Sequence, residues 1–230
     1  MEWYWLPEYA PRFVEGVWLT IQLLLLAMFF GMAIAIPVGL VQVTGPRPLA
    51  WLAKAFTTLI RGTPLLVQIW LVYYGLGSLF PSIPGIRESF LWPVLRDAFP
   101  YAVFALTLSV AGYEGEILRG AFRSVPNGEL EAARAMGMSR FTILRRIWLP
   151  RALQNVFPTL TGEFILTLKA TPLVSTITIY EAFGVGTIVR QETYRIYEPL
   201  LLLAAIYAFL TLILVVIFRY FENRIPKRAL

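Results

Sequence analysis

Charge is absent from long stretches of this chain, and the gaps are as long as a lipid bilayer is thick. Residues 16–46, 62–86, 98–113 and 199–218 carry no Asp, Glu, Lys or Arg, and 152–180 carries only Glu163 and Lys169. A helix rising about 1.5 Å per residue needs roughly 20 mostly apolar residues to cross the hydrocarbon. The pattern predicts five spanning helices, at about 14–43, 51–78, 98–120, 152–172 and 197–221. The expected fold class is an all-α integral membrane protein, with residues 1–230 forming one transmembrane domain.

Basic residues between these segments give an orientation. Arg47, Lys54 and Arg61 follow the first segment. Arg119, Arg123, Arg134, Arg140, Arg145, Arg146 and Arg151 lie between the third and fourth, and Arg219, Arg224, Lys227 and Arg228 close the chain. On the opposite side Arg87 and Arg96 are offset by Glu88 and Asp97, and Arg190 and Arg195 by Glu181, Glu192 and Glu198. Cytoplasmic loops carry the basic excess. The N-terminus is therefore expected outside and the C-terminus in the cytoplasm, the parity that five crossings require.

Within the segments, Ala27, Gly31, Ala35 and Gly39 recur every four residues, a stripe on which a second backbone can approach closely. Pro37 and Pro64 are expected as kinks inside packed helices. The loop 124–150, SVPNGELEAARAMGMSRFTILRRIWLP, holds a further element. Asn127 is the expected N-cap, Glu129 and Glu131 suit the positive end of a helix, and Gly137 is placed to terminate it. Ser139 then caps a second segment leading to Pro150. A helix this short needs a partner to dock on. Its small residues, Ala132, Ala133 and Ala135 beside Leu130 and Met136, suit a protein groove better than a lipid anchor, which is usually basic and strongly apolar.

Composition removes most chemistry. The chain has no Cys and no His among 230 residues. Disulfides, thiol or His-based catalysis and His-ligated metal are excluded. No carboxylate pair stands at i,i+3 or i,i+4 within the apolar spans to support a membrane enzyme. The net charge of +6 sits in loops between apolar runs and belongs to membrane orientation, not to a nucleic-acid-binding face. The first 15 residues carry Glu2, Glu8, Arg12 and Glu15 without a basic start, so no cleavable leader is expected. A secondary transporter of this size is expected to carry an internal repeat, and none is evident. No GxxxxGK[ST] loop is present either, so any ATP site belongs to another polypeptide.

Glu131-Ala132-Ala133, then Gly137, then Ile147 and Leu149-Pro150, resembles the EAA loop of importer permeases of the ATP-binding-cassette class. Arg61-Gly62-Thr63-Pro64-Leu65-Leu66-Val67-Gln68, Gly112-Tyr113 with Glu116-Ile117-Leu118-Arg119-Gly120, and Leu168-Lys169-Ala170-Thr171-Pro172-Leu173 are similar to the polar amino acid branch. Within it the chain looks most like one half of the systems for basic amino acids and opines. It departs where Ala170 stands in place of a frequent Asp and Pro172 in place of a frequent Ser. The resemblance implies a multi-pass subunit of the bacterial inner membrane that binds no cofactor itself. ATP and Mg would be held by two separate ATPase subunits, which the 131–150 loop would engage. It further implies a second, homologous permease, more expected as a heterodimer, and an external substrate-binding protein. Membrane lipid is an expected partner and nucleic acid is not. The alternative is a channel or secondary transporter for a small polar solute, which has no need of such a loop.

Ionisable groups at membrane depth are costly and mark pathways. Glu114, Glu116, Glu163 and Lys169 qualify. Glu163 and Lys169 have the two signs that a zwitterion presents, unless they merely pair with each other or Lys169 reaches out to the interface. Glu116 is placed to pair with Arg119 or Arg123. Glu114, two residues away, faces elsewhere. Thr171-Pro172 is expected to break the fourth helix beside Lys169. The candidate pathway residues are Glu163, Lys169, Thr171, Tyr113 and Glu116.

Overall fold

A computed structural model describes residues 3–224. The basic tail residues Lys227 and Arg228 lie outside that range. The described residues form helices and no strands. The first, α1, runs over Leu6–Thr44 and begins well before residue 14, with a proline in its first turn. The charges at Glu8 and Arg12 interrupt the apolar run without interrupting the helix, because Tyr9 and Phe13 are buried in a cluster with Ala182, Val185 and Val189. Pro37 stays inside α1 as expected.

The second expected helix is two. α2 (Arg47–Gly62) ends at Thr63, whose backbone is extended, and α3 (Leu65–Ser82) starts after Pro64. Proline disfavours helical backbone in the residue before it and blocks the bond to the carbonyl four residues back. That carbonyl belongs to Ile60, and Gln68 Nε2 donates to it at 2.7 Å while also reaching the Thr63 carbonyl and hydroxyl. The break is thus sealed by a side chain from the next turn, and Pro64 is a terminator, not a kink.

α4 (Ala98–Ser124) is capped by Asp97, which accepts from the Phe99 amide at 2.8 Å. At 27 residues it is about 40 Å long. It packs along α1, α2 and α6 and forms the centre of the bundle. The small-residue stripe of α1 lies against it. A Cβ on Gly31 would stand 2.3 Å from Val110 Cγ1, and one on Gly39 would stand 2.9 Å from the Gly115 carbonyl oxygen. The stripe is a packing surface, as its spacing predicts.

After the short α5 (Asn127–Ala135) the chain enters α6 (Arg140–Ile177), far longer than the expected 152–172. At the expected break, Thr171-Pro172, the α-helix ends with Ala170, but the chain stays helical. The helix tightens there into a 3₁₀ segment, Thr171–Ile177. Pro172 cannot donate to the Leu168 carbonyl, which instead accepts from the Thr171 amide and from Thr171 Oγ1 at 2.8 Å. The turn comes at Thr178, in the left-handed region at φ 68°. α7 (Ala182–Thr193) follows, bent by 50° from α6, and α8 (Tyr197–Glu222) closes the described chain. α1, α3 and α8 are each long and apolar enough to span a membrane, and α6 with α7 forms a further span if the bent pair is taken as one. α8 is mostly exposed, a surface left for lipid or another subunit.

Candidate functional site

Two regions gather the residues that the sequence singles out. The first is the α5 loop. The N-cap of α5 is Pro126 and not Asn127, which is already helical; proline has no side-chain acceptor, so this end carries no side-chain cap. The C-terminal end follows the expectation. Gly137 has φ 75°, its amide donates to the Arg134 carbonyl, and Met138 donates to the Ala133 carbonyl, the paired bonds of a Schellman stop. Ser139 caps the start of α6 by accepting from the Thr142 amide.

Leu130 and Ala133 are buried against Phe122, Val125, Ile143 and Ala152, whereas Glu131, Ala132, Ala135 and Met136 face outward, Met136 at 83% exposure. Trp148 Nε1 donates to the Phe122 carbonyl at 2.9 Å and ties the base of α6 to the end of α4. Arg151 and Glu129 pair at 3.1 Å across the loop. Ala132, Ala133, Ile147 and Pro150 line one groove of about 560 Å³, and Leu149 packs in the cluster beneath. The loop is thus a rigid projection: a small-residue face pointing away from the bundle, held by a buried face pointing into it.

The second region is a cleft of about 220 Å³ between α3, α4 and α6. Ser109, Val110, Tyr113 and Glu114 come from one face of α4; Glu163, Leu166, Thr167 and Ala170 come from one face of α6. Glu114 is 1% exposed, and neither carboxylate oxygen has a hydrogen-bond partner among the described residues. Glu163 is half-buried. Two carboxylates and a tyrosine therefore face one small, largely apolar space.

Of the expected pathway residues, Glu163 and Tyr113 line this cleft and the others do not. Lys169 is exposed; six residues beyond Glu163 it has turned roughly 240° around the helix. The two form no ion pair. Thr171 is buried and committed to the Leu168 carbonyl, with Tyr207 OH at 3.5 Å. Glu116 accepts from Arg119 Nε at 2.7 Å, the pairing that its spacing predicts. Glu114 is the residue passed over. Facing away from Glu116 directs it into the bundle, and the spacing Leu106, Val110, Tyr113/Glu114 was the available signal.

The arrangement is an all-helical bundle with several spans apolar enough for a membrane, a small cleft between α3, α4 and α6 lined by two carboxylates, and a short helix projecting at one end. The comparisons agree. The family model for the binding-protein-dependent transport system inner membrane component matches residues 27–227. An octopine transport system permease protein of Rhizobium radiobacter is 41% identical over 212 residues, 91% of this chain and 84% of the relative. A histidine/lysine/arginine/ornithine transport system permease protein of Escherichia coli K12 is 35% identical over 209 residues, covering 91% and 87%. The crystal structure of an amino acid ABC transporter with histidines superimposes with TM-score 0.81 at 32% identity, covering 97% of this chain and 99% of that one. The chain belongs to the family of binding-protein-dependent transport system inner membrane components. It is a multi-pass inner-membrane permease subunit, not an enzyme, and ATP hydrolysis falls to a separate polypeptide.

Proposed function

We propose that this chain carries a cationic amino acid or an arginine-derived opine through the α4–α6 cleft, as one of two permease subunits driven by a pair of ATPases. The observation that carries the reading is Glu114. It is a carboxylate buried in a membrane protein, unpartnered, and beside a second carboxylate. Such a pair is costly unless a positive group neutralises it. The relatives named for octopine and for histidine, lysine, arginine and ornithine point to the same charge. Glu163 and Tyr113 keep the pathway role expected of them. Thr171 and Glu116 support their own helices, and Lys169 lies outside the cleft.

The remaining organisation follows from the loop and the charges. Five crossings put α5 in the cytoplasm and the N-terminus outside, with α4 as the central crossing although it carries Glu114, Glu116 and Arg119. The outward face of α5, Glu131, Ala132 and Ala135 with Gly137 closing it, enters a cleft of the ATPase, where Mg-ATP is bound. Closure of the ATPase dimer then moves two permease halves as rigid bodies. One chain offers one such helix and an ATPase dimer offers two clefts, so a second permease completes the unit. A binding protein delivers substrate from outside.

The test is arginine binding to the purified permease–ATPase complex without the binding protein. Glu163→Gln and Glu114→Gln should each weaken it about tenfold to a hundredfold, the range for a lost charged hydrogen bond. Unchanged arginine binding in the double variant overturns the assignment.

A further inference from the structure

A cavity of about 870 Å³ lies away from the α4–α6 cleft, between the end of α1, one flank of α5 and the first turns of α6. Leu40, Phe141, Leu144 and Trp148 give it an apolar wall, and Arg134 and Arg140 also line it. No described Asp or Glu does. Arg134 stands one turn beyond the buried Leu130, on the flank of α5 turned to α1 and not on the outward face of Glu131, Ala132 and Ala135. Neither guanidinium has an ion pair within 4.0 Å, a hydrogen bond or an aromatic face among the described residues. The groove on the other flank of α5 differs. There Glu129 stands beside Arg146 and Arg151 and pairs with Arg151 at 3.1 Å, so that groove carries its own counter-charge.

The depth of the cavity is set by α1. Leu40 and Thr44 belong to the charge-free run 16–46, and Arg47 follows directly after it. The first turns of α2 then expose Leu49, Trp51 and Leu52 beside the exposed Arg47 and Lys54. Exposed tryptophan and leucine next to basic residues mark a helix at headgroup level. Phe141, 70% exposed, opens the cavity wall toward the surroundings. The C-terminal end of α1 would repel an anion if its carbonyls were bare. Thr44 Oγ1 donates to the Leu40 carbonyl at 3.0 Å, and the Gly45 amide donates to the Val41 carbonyl at 2.8 Å, so two of them are occupied.

We propose that this cavity is a binding site for an anionic phospholipid, whose phosphate is held by Arg134 and Arg140 and whose acyl chain lies against Leu40, Phe141 and Leu144. Each half of the lipid meets one half of the lining. A free phosphate would use the two guanidinium groups and leave the apolar wall wet. A neutral lipid would cover the wall and leave two positive charges uncompensated. The volume also fits a lipid fragment, since pockets of roughly 300–1,000 Å³ enclose a drug-sized molecule and a phosphate group fills far less. Guanidinium groups suit the phosphate, which they can grip through paired N–H donors. Basic pockets between helices at headgroup level select anionic lipids for these reasons. The lipid bridges the end of α1 to the α5 projection. The site is independent of what the α4–α6 cleft carries.

The experiment titrates the purified permease–ATPase complex, in micelles of a neutral detergent, with radiolabelled phosphatidylglycerol. Arg134→Gln and Arg140→Gln should each raise its Kd about fivefold, and together about twentyfold or more, the worth of a basic residue at an anionic headgroup. Lysine at either position should stay close to the parent. Arg145→Gln removes a charge from the same basic loop but not from the cavity lining, and should leave the Kd unchanged. Phosphatidylcholine should not compete, and neither should glycerol 3-phosphate, which has the headgroup charge without the chains. Phosphatidylglycerol should slow amide hydrogen exchange over residues 133–141 in the parent and not in the double variant. Equal affinity in the parent and the double variant, an equal loss in Arg145→Gln, or protection confined to other segments overturns the proposal. Displacement by glycerol 3-phosphate overturns it too, since the occupant is then a soluble phosphate. The double variant should keep its ATPase; losing the ATPase would make the cavity a protein interface and end the lipid reading.

Discussion

Glu181 joins three helices through one buried carboxylate, and its removal should be felt across the bundle. The side chain is fully buried. It accepts from Thr20 Oγ1 of α1 at 3.0 Å, from Tyr207 OH of α8 at 2.5 Å, and from the Gly184 amide in the first turn of α7 at 3.0 Å. Thr20 Oγ1 in turn accepts from the Ala182 amide at 3.2 Å. Replacement by alanine deprives α7 of its N-cap, a loss of about 1 kcal/mol. It also leaves the Tyr207 hydroxyl buried with only the 3.5 Å contact to Thr171, worth a further ~1–2 kcal/mol. Thr20 keeps its bond to the Gly16 carbonyl and contributes little. The expected loss is about 2–3 kcal/mol. Hydrogen bonds within membranes average about 0.6 kcal/mol by double-mutant cycle and reach about 1.7. The coupling between Glu181→Ala and Tyr207→Phe should lie near that upper value, because the acceptor is a carboxylate. The assay is reversible unfolding of the single and double variants in mixed micelles, with uptake measured alongside. A loss under about 1 kcal/mol for Glu181→Ala, or strict additivity with Tyr207→Phe, would refute the reasoning.

Gly31→Ala should destabilise the bundle by about 1–3 kcal/mol through the clash with Val110, and Val110→Ala should recover part of it; Gly62→Ala, which meets nothing within 4 Å, is the control in the same unfolding assay. Gly137→Val forces a β-branched residue to φ 75° and should cost about 1–2 kcal/mol locally, raising the ATP hydrolysed per substrate imported while leaving membrane insertion intact. Single cysteines at Asn127 and at Pro84, in a chain that has no native cysteine, should react with an impermeant thiol reagent on intact cells at 84 and not at 127. The opposite labelling would reverse the orientation.

Charge-free stretches locate the parts of this chain that sit at membrane depth, and they do so because hydrocarbon tolerates few ions. They do not locate helix ends. α1 starts at Leu6 because Tyr9 and Phe13 find a tertiary partner in α7, and α6 runs back to Arg140 because Ile143 and Trp148 pack under α4. Neither contact has a local signature. The α1 stripe, the Gly137 stop and the Ser139 cap were legible because each is decided within a few residues. The two prolines behaved differently for a reason that sequence distance conceals. At Pro64 the carbonyl of Ile60 is taken by Gln68, which reaches back from the next helix across a full break, whereas at Pro172 the carbonyl of Leu168 accepts both the amide and the hydroxyl of Thr171 and the chain stays helical. The lining of the α4–α6 cleft was half legible. Glu163 was found by its depth, while Lys169 was joined to it by charge sign alone, and helical phase separates them. Glu114 needed the third dimension, since its partner across the cleft is 49 residues away in the chain.

The central claim is that ATP hydrolysed elsewhere drives a cationic amino acid or opine through this subunit. It is tested most directly by uptake into proteoliposomes that hold this chain with its companion permease and ATPase, with binding protein outside and Mg-ATP inside. Radiolabelled arginine and octopine should accumulate only when ATP and binding protein are both present, and Glu114→Gln with Glu163→Gln should abolish that accumulation in a complex that remains assembled. Accumulation without ATP or without the binding protein, or preference for a neutral or acidic amino acid over both arginine and octopine, would contradict the account.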